Sequence, residues 1–179
     1  MKTNNRNYKI IPYDPQWPIL FSKESERISH IIGDNILEIH HIGSTSVPGM
    51  SGKATIDILF VVDDISKIDD YISYLKKIGY ASLGSRNAKN SHLFEKEVDD
   101  QRLFIIHFYK NNHPEIFQIL AIRDYLRAHP NKADQYSEFK LSLFQKFPND
   151  YVQYRKLKDE YMENLKNEAI IWSKKHKSA

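Results

Sequence analysis

Apolar positions recur with helical spacing at Trp17, Leu20, Phe21, Ile28, Ile31 and Ile32, after Asp14-Pro15-Gln16 and before Gly33. Asp14 as N-cap, Pro15 at the first helical position and a glycine stop predict the first helix there. Over residues 36–42 the period shortens to two, which places Leu37, Ile39 and His41 on one face of a strand. Residues 55–62 are apolar on both faces, the pattern of a central strand covered from each side, with Asp57 as the interruption. Asp63 or Asp64 then starts a helix carrying Ile65, Ile68, Ile72, Leu75 and Ile78, which Gly79 ends before a short strand over 80–83. The polar stretch 84–91 reads as a mobile loop. Residues 92–98 and 103–109 read as a hairpin around Asp99-Asp100-Gln101-Arg102, and Val98 facing Leu103 would set Phe94 opposite His107.

From His113 onward only helical periods remain. Pro114 opens a helix with Ile119, Ile122 and Leu126, which His129-Pro130 breaks. Asn131 is the expected cap of the next, ending at Phe147, and Asn149-Asp150 that of a last helix with Tyr154, Leu157, Tyr161, Leu165 and Trp172. The order predicts one α+β domain over 1–179, with a mixed β-sheet and flanking helices in 8–112, a C-terminal helical layer over 113–172, and a frayed tail over 173–179. Bulk composition sharpens this only at the margins. A net charge of +3 is small for a dedicated nucleic-acid binder, so no nucleic-acid partner is expected. With 0 Cys there is no disulfide framework and no thiolate ligand or nucleophile. No apolar run reaches membrane-spanning length and the start is polar, so the expectation is a cytoplasmic protein with no membrane partner.

Residues 41–57 hold the candidate chemistry. A strand runs into Gly43-Ser44-Thr45-Ser46, then past Lys53 into a second strand bearing Asp57. Small residues let backbone N–H groups approach an anion, and hydroxyls and a lysine extend such a cradle. A carboxylate within an apolar strand is costly to bury unless it is paired or binds a metal. Gly43, Ser44, Thr45, Ser46 and Lys53 are therefore candidate phosphate contacts, and Asp57 a candidate metal ligand, with a buried Arg–Asp pair as its plain alternative. His41, His107 and Asp57 could bind a divalent transition metal if they share a cleft. Arg123 and Arg127 share a helix face and could clamp a phosphate or pair with acids. The Tyr151, Tyr154, Tyr161 stripe reads as core packing.

Ile11-Pro12-Tyr13-Asp14-Pro15-Gln16-Trp17, His41-Ile42-Gly43-Ser44-Thr45-Ser46-Val47-Pro48-Gly49 and Arg123-Asp124-Tyr125-Leu126-Arg127-Ala128-His129-Pro130 together resemble the GrpB family. That family is assigned to the nucleotidyltransferase superfamily, and its members are sometimes fused to dephospho-CoA kinase. The resemblance implies a nucleotidyltransferase-like fold in which the Gly-Ser turn seats phosphate and an acidic pair on the next strand holds two Mg2+ ions. Ser44 and Asp57 match that spacing, but Leu59 stands where the second acid belongs. Catalysis would then need Glu95, Glu97 or a histidine to complete the shell. The resemblance thus points to a nucleotidyl or phosphoryl transferase with Ser44 and Asp57 in catalytic roles and an unknown acceptor. The alternatives are a non-catalytic nucleotide- or CoA-binding module, and a hydrolase using Zn2+ or Mn2+.

Overall fold

Five strands form one mixed sheet in the order β1-β2-β5-β4-β3. They are β1 (Ile36–Ile42), β2 (Ile56–Val62), β3 (Tyr80–Gly84), β4 (Ser91–Val98) and β5 (Gln101–Lys110) in a computed structural model that describes residues 8–85 and 89–176. Five α-helices accompany them: α1 (Trp17–Ile32), α2 (Ile72–Lys77), α3 (Pro114–Ala128), α4 (Pro130–Lys146) and α5 (Tyr151–His176). The sheet is parallel only between β2 and β5. The α+β expectation, with helices flanking a mixed sheet and a C-terminal helical layer, is what the chain adopts.

β2 has both faces covered, which is why it can be apolar throughout. Ile56, Ile58, Phe60 and Val62 pack on one face with Ile106, Phe108 and Phe94, beneath Trp17, Ile28 and Ile32 of α1. Leu59 and Val61 lie on the other face with Ile42 and Tyr109, against Ile116, Ile119 and Leu120 of α3. Each such fully buried side chain contributes roughly 1.5–3 kcal/mol. Asp57 belongs to this second face, the one turned towards the C-terminal helices.

Local geometry departs from the expected elements at several points. Gln16, not Asp14, occupies the N-cap of α1; the Asp14 carboxylate accepts from the Gln16 N–H at 2.8 Å and turns the chain into the helix one step earlier. Leu37 sits at an irregularity in the β1–β2 ladder, so it is exposed while Ile39 and His41 stay inward. Asp64 does cap the next element by accepting from the Ser66 N–H, but that element begins as a 3₁₀ helix over Ile65–Tyr71 before α2. His129 rather than Asn131 holds the N-cap of α4, because Pro130 fits the first turn, where no amide donor is required. α5 continues to His176 where a frayed tail was expected from residue 173, and Ser173 is buried. Of the expected mobile loop, residues 86–88 lie outside the described residues.

One difference matters for function. The β4–β5 connection is a two-residue turn with Asp99 and Asp100 both at positive φ, 51° and 59°, the requirement of the tight hairpin turn that matches strand twist. Val98 therefore faces Gln101, and a further register shift between Lys96 and Glu97, which leaves Leu103 without a ladder partner, brings His107 opposite Leu93 instead of Phe94. Pairing with Phe94 would have put His107 in the α1-side core. The observed register turns it to the Asp57 side.

Candidate functional site

The chain leaves β1 at Gly43, whose φ of 71° and ψ of −173° lie in a region essentially restricted to glycine. A Cβ there would stand 2.5 Å from Asp57 Oδ2, so the turn and the carboxylate touch only because residue 43 lacks a side chain. Ser44–Ser46 form one 3₁₀ turn. Its lower half is internally bonded: Ser46 Oγ donates to the Gly43 carbonyl at 2.7 Å, and Thr45 Oγ1 donates to the Thr55 carbonyl at 3.3 Å. The Arg127 guanidinium closes the turn by donating Nε–H and Nη2–H to the Ser46 carbonyl, at 2.9 and 2.7 Å. Gly52 then passes so close that a Cβ on it would meet Ser44 Cβ at 2.9 Å.

Beneath Ser44 lies a residue that sequence reasoning missed. Lys140 of α4 is 2% exposed, and its Nζ donates to Ser44 Oγ at 2.9 Å and to the Ser51 carbonyl. It also lies 4.6 Å from the centroid of the Tyr136 ring. Burial, reinforced by the charges of Lys158 and Lys53, pulls its pKa from 10.5 down to about 7. The signal was present: Ala133, Tyr136, Ser137, Lys140 and Leu143 form the buried stripe of α4, and a lysine on such a stripe has a reason to be there.

Ser44 and Lys140 border a cleft of about 450 Å³ between the sheet face and helices α3, α4 and α5. Six cationic side chains border it, Lys53, Arg102, Arg123, Lys140, Arg155 and Lys158, against the two acids Asp57 and Asp159. Arg102 engages Glu95, and Arg123 donates to Asp124 at 2.7 Å and to the His41 carbonyl at 3.4 Å. Lys53 Nζ donates to Tyr151 Oη at 2.8 Å. On the sheet, His107 Nε2 lies 3.6 Å from Asp57 Oδ1. The Tyr154 hydroxyl, buried at the cleft wall, has no hydrogen-bond partner among the described residues.

The structure sorts the candidates. Gly43, Ser44, Lys53, Asp57, His107 and Arg123 border one cleft. Thr45 and Ser46 are buried and spend their hydroxyls on the Thr55 and Gly43 carbonyls, so they shape the cradle without facing it. Arg127 likewise holds backbone rather than lining the cleft. Tyr161 is core, stacked on Tyr136 and Phe139, whereas Tyr151 and Tyr154 reach the cleft wall.

His41 is a correction. It pairs across from Ile58, while its neighbour Ile42 pairs with Asp57, and laterally paired residues share a face. Its ring stacks on Phe21 at 4.6 Å, its Nε2 meets Thr45 Oγ1 at 3.0 Å, and burial lowers its pKa to about 4, so it is a neutral core histidine. The His41–Asp57–His107 metal set is not assembled. Among the described residues no three His, Asp or Glu side chains are placed to hold a metal ion. Glu95 shares a lateral row with Asp57, but Ile105 lies between them. Two strand spacings, about 10 Å, are too far for the bridging carboxylates of a two-metal centre.

Arg127 yields a first expected result. Arg127→Met should lower the urea-unfolding free energy by roughly 1.5 kcal/mol, the low end for hydrogen bonds to a charged donor because the side chain is partly in solvent. Arg123→Met should weaken anion affinity with a smaller change in stability. Urea titrations paired with pyrophosphate binding check the contrast, and equal stability losses in both would contradict it.

Residues 7–168 match the family model described as GrpB protein. The chain is 36% identical over 174 residues to the UPF0157 protein YqkA of Bacillus subtilis (strain 168), covering 97% of this chain and 50% of that protein. It therefore spans half the length of that relative. A crystal structure of the conserved protein GrpB from Enterococcus faecalis superposes with a TM-score of 0.88 at 31% identity, covering 92% of this chain and 99% of that one. A protein named dephospho-CoA kinase from Mycolicibacterium paratuberculosis is 24% identical, over 92% of this chain and 46% of its own length.

Proposed function

The chain belongs to the GrpB family, and we propose that its cleft binds the phosphate groups of a nucleotide or a CoA-like phosphate ester. The observation that carries this reading is Lys140, a buried amine that donates to Ser44 Oγ and has no carboxylate in salt-bridge reach among the described residues. Burying an unpaired cation is strongly unfavourable, so an ionic partner from outside the chain gives the arrangement a reason. A phosphate at Ser44 would meet Lys140, Lys53 and Arg123, and the unpartnered Tyr154 hydroxyl offers a further donor. Phosphate would also favour the charged form of Lys140 and so take up a proton on binding.

The same reading includes transfer of a nucleotidyl or phosphoryl group to an acceptor hydroxyl. Asp57 and His107 stand together on the sheet side of the cleft, where either can receive the proton that the acceptor loses. The two-metal arrangement of nucleotidyl transfer does not fit, since Leu59 replaces one acid and Glu95 is remote. A single Mg2+ could be held by the Asp57 carboxylate together with ligand phosphates. The Zn2+ or Mn2+ hydrolase reading loses its third ligand with His41 on the opposite face.

Calorimetric titration of pyrophosphate, ATP and dephospho-CoA with and without Mg2+ tests the proposal. The name of the mycobacterial relative is the reason for including dephospho-CoA. The expected result is binding without Mg2+, moderately strengthened by it, with Asp57→Ala losing the strengthening but keeping the binding. Two tight metal sites and abolished nucleotide binding in Asp57→Ala would establish a two-metal enzyme instead. No binding of any phosphate compound in either condition overturns the proposal.

A further inference from the structure

A second cavity of about 360 Å³ has Lys53 on its border but neither Ser44 nor Lys140. Lys53, Thr55, Arg102 and Tyr151 border both spaces, which makes the two neighbours. We infer that this second chamber receives the base of a nucleotide whose phosphates lie at Ser44 and Lys140, and that it favours bases bearing an exocyclic amino group. The inference rests on the phosphate-binding reading above and specifies its ligand.

Both spaces carry cations, Lys9, Lys53 and Arg102 in the second among them, but the Ser44–Lys140 cradle belongs to the first alone, and Tyr8, Ile11, Ala54, Leu103 and Tyr151 give the second apolar and aromatic walls. Flat bases gain affinity from aromatic faces and edges and from desolvated apolar contacts, largely independent of base identity. The aromatic wall is held in place before any ligand arrives. Tyr8 and Tyr151 meet edge-on at 5.1 Å, Tyr8 Oη donates to the Phe147 carbonyl at 2.6 Å, and Lys53 Nζ donates to Tyr151 Oη at 2.8 Å. Thr55 Oγ1 donates to the Arg102 carbonyl at 2.9 Å and fastens the junction to the β5 strand. Walls ordered in advance lose little entropy on binding.

Selectivity comes from the hairpin turn. Asp100 and Gln101 form the rim, and Asp100 is held with φ at 59° by the tight β4–β5 turn. An ionised carboxylate only accepts hydrogen bonds, so it favours adenine, cytosine or guanine amino groups over the carbonyl oxygens of uracil. Gln101 both donates and accepts, and can serve the neighbouring ring position whichever base is present.

Calorimetric titration of inorganic triphosphate, ATP and UTP, all without added metal, separates this inference from the reading beneath it. Wild-type protein should bind ATP about tenfold more tightly than triphosphate, a gain typical of one stacked base, and should prefer ATP to UTP. Ala54 is exposed, so Ala54→Trp can fill the chamber with little demand on the core; it should reduce ATP affinity to that of triphosphate and leave triphosphate binding unchanged. Asp100→Asn, which tolerates the same backbone conformation, should bring ATP and UTP together without altering triphosphate affinity. Equal affinities for ATP and triphosphate in the wild type, or parallel losses of both in Ala54→Trp with Asp100→Asn inert, overturn the base chamber while leaving the phosphate cradle intact. Failure of triphosphate itself to bind would remove both.

Discussion

Lys140→Met should give a protein that unfolds at higher temperature than the wild type and binds pyrophosphate about tenfold or more weakly, the loss expected for one charge-assisted hydrogen bond. The two effects have one cause. Lys140 is 2% exposed with a pKa brought down to about 7, so near neutral pH the native state either buries a charge or gives up a proton. Methionine has nearly the same length and no charge, and replacing uncompensated buried ions by apolar groups of similar volume commonly gains about 1–4 kcal/mol. Against this stand the Ser44 hydroxyl and Ser51 carbonyl left without the Lys140 donor. Both residues are only partly buried, and Ser44 borders the open cleft, where water can replace the ammonium, so the gain should win.

The pH dependence gives the sign independently. Between pH 7 and 10.5 the unfolded chain carries a proton on Lys140 that the native state has largely released. Stability therefore rises with pH across that window through this group, and below pH 7 its destabilising contribution is present in full. The difference in melting temperature between Lys140→Met and wild type should shrink as pH is raised from 7 to 10, and added pyrophosphate should shrink it at pH 7. Scanning calorimetry across that range measures both. A variant less stable than wild type at pH 7, with unchanged pyrophosphate affinity, would show that Lys140 is a structural hydrogen-bond donor and nothing more.

What could be read in advance follows from which interactions are local. β2 was legible as a central strand because its apolar run needs cover on both faces, and Ser44 and Asp57 were legible as neighbours because a turn and a strand of that length return the chain beside itself. The lateral registers were not. Asp99 and Asp100 permit positive φ without requiring it, and the one-residue shift at Leu103 that sends His107 to the cleft instead of the core has no signature in the local alternation. Likewise nothing within β1 decides whether His41 or Ile42 pairs with Asp57; the observed register sets His41 on the opposite face, where it stacks on Phe21. Lys140 lies nearly a hundred residues from Ser44, so its contact is tertiary, although its place on the apolar stripe of α4 marked it as unusual. Arg127 illustrates the converse limit. Its helix face was predictable, but its partner, a backbone carbonyl in another segment, carries no side-chain signature.

Gly43→Ala should be among the most damaging small substitutions in the protein, because two separate penalties fall on one methyl group. The backbone at φ 71° and ψ −173° is outside the range of L side chains, at a cost of about 1–3 kcal/mol. The added Cβ would also stand 2.5 Å from Asp57 Oδ2 and 3.2 Å from Asp57 Cγ, so either the carboxylate or the turn must move. Displacing the turn pulls Ser44 away from Lys140 and strains the Arg127 contacts to Ser46, and pyrophosphate binding should fall with stability. The two penalties can be told apart by a double-mutant cycle. Asp57→Ala removes the carboxylate but leaves the backbone requirement, so Gly43→Ala should be less destabilising in the Asp57→Ala background, with a coupling of about 1 kcal/mol or more between contacting sites. Urea unfolding of the four proteins measures it. Strict additivity would mean that Gly43 answers only to backbone conformation, and that the close approach of the turn to Asp57 plays no part in forming the cleft.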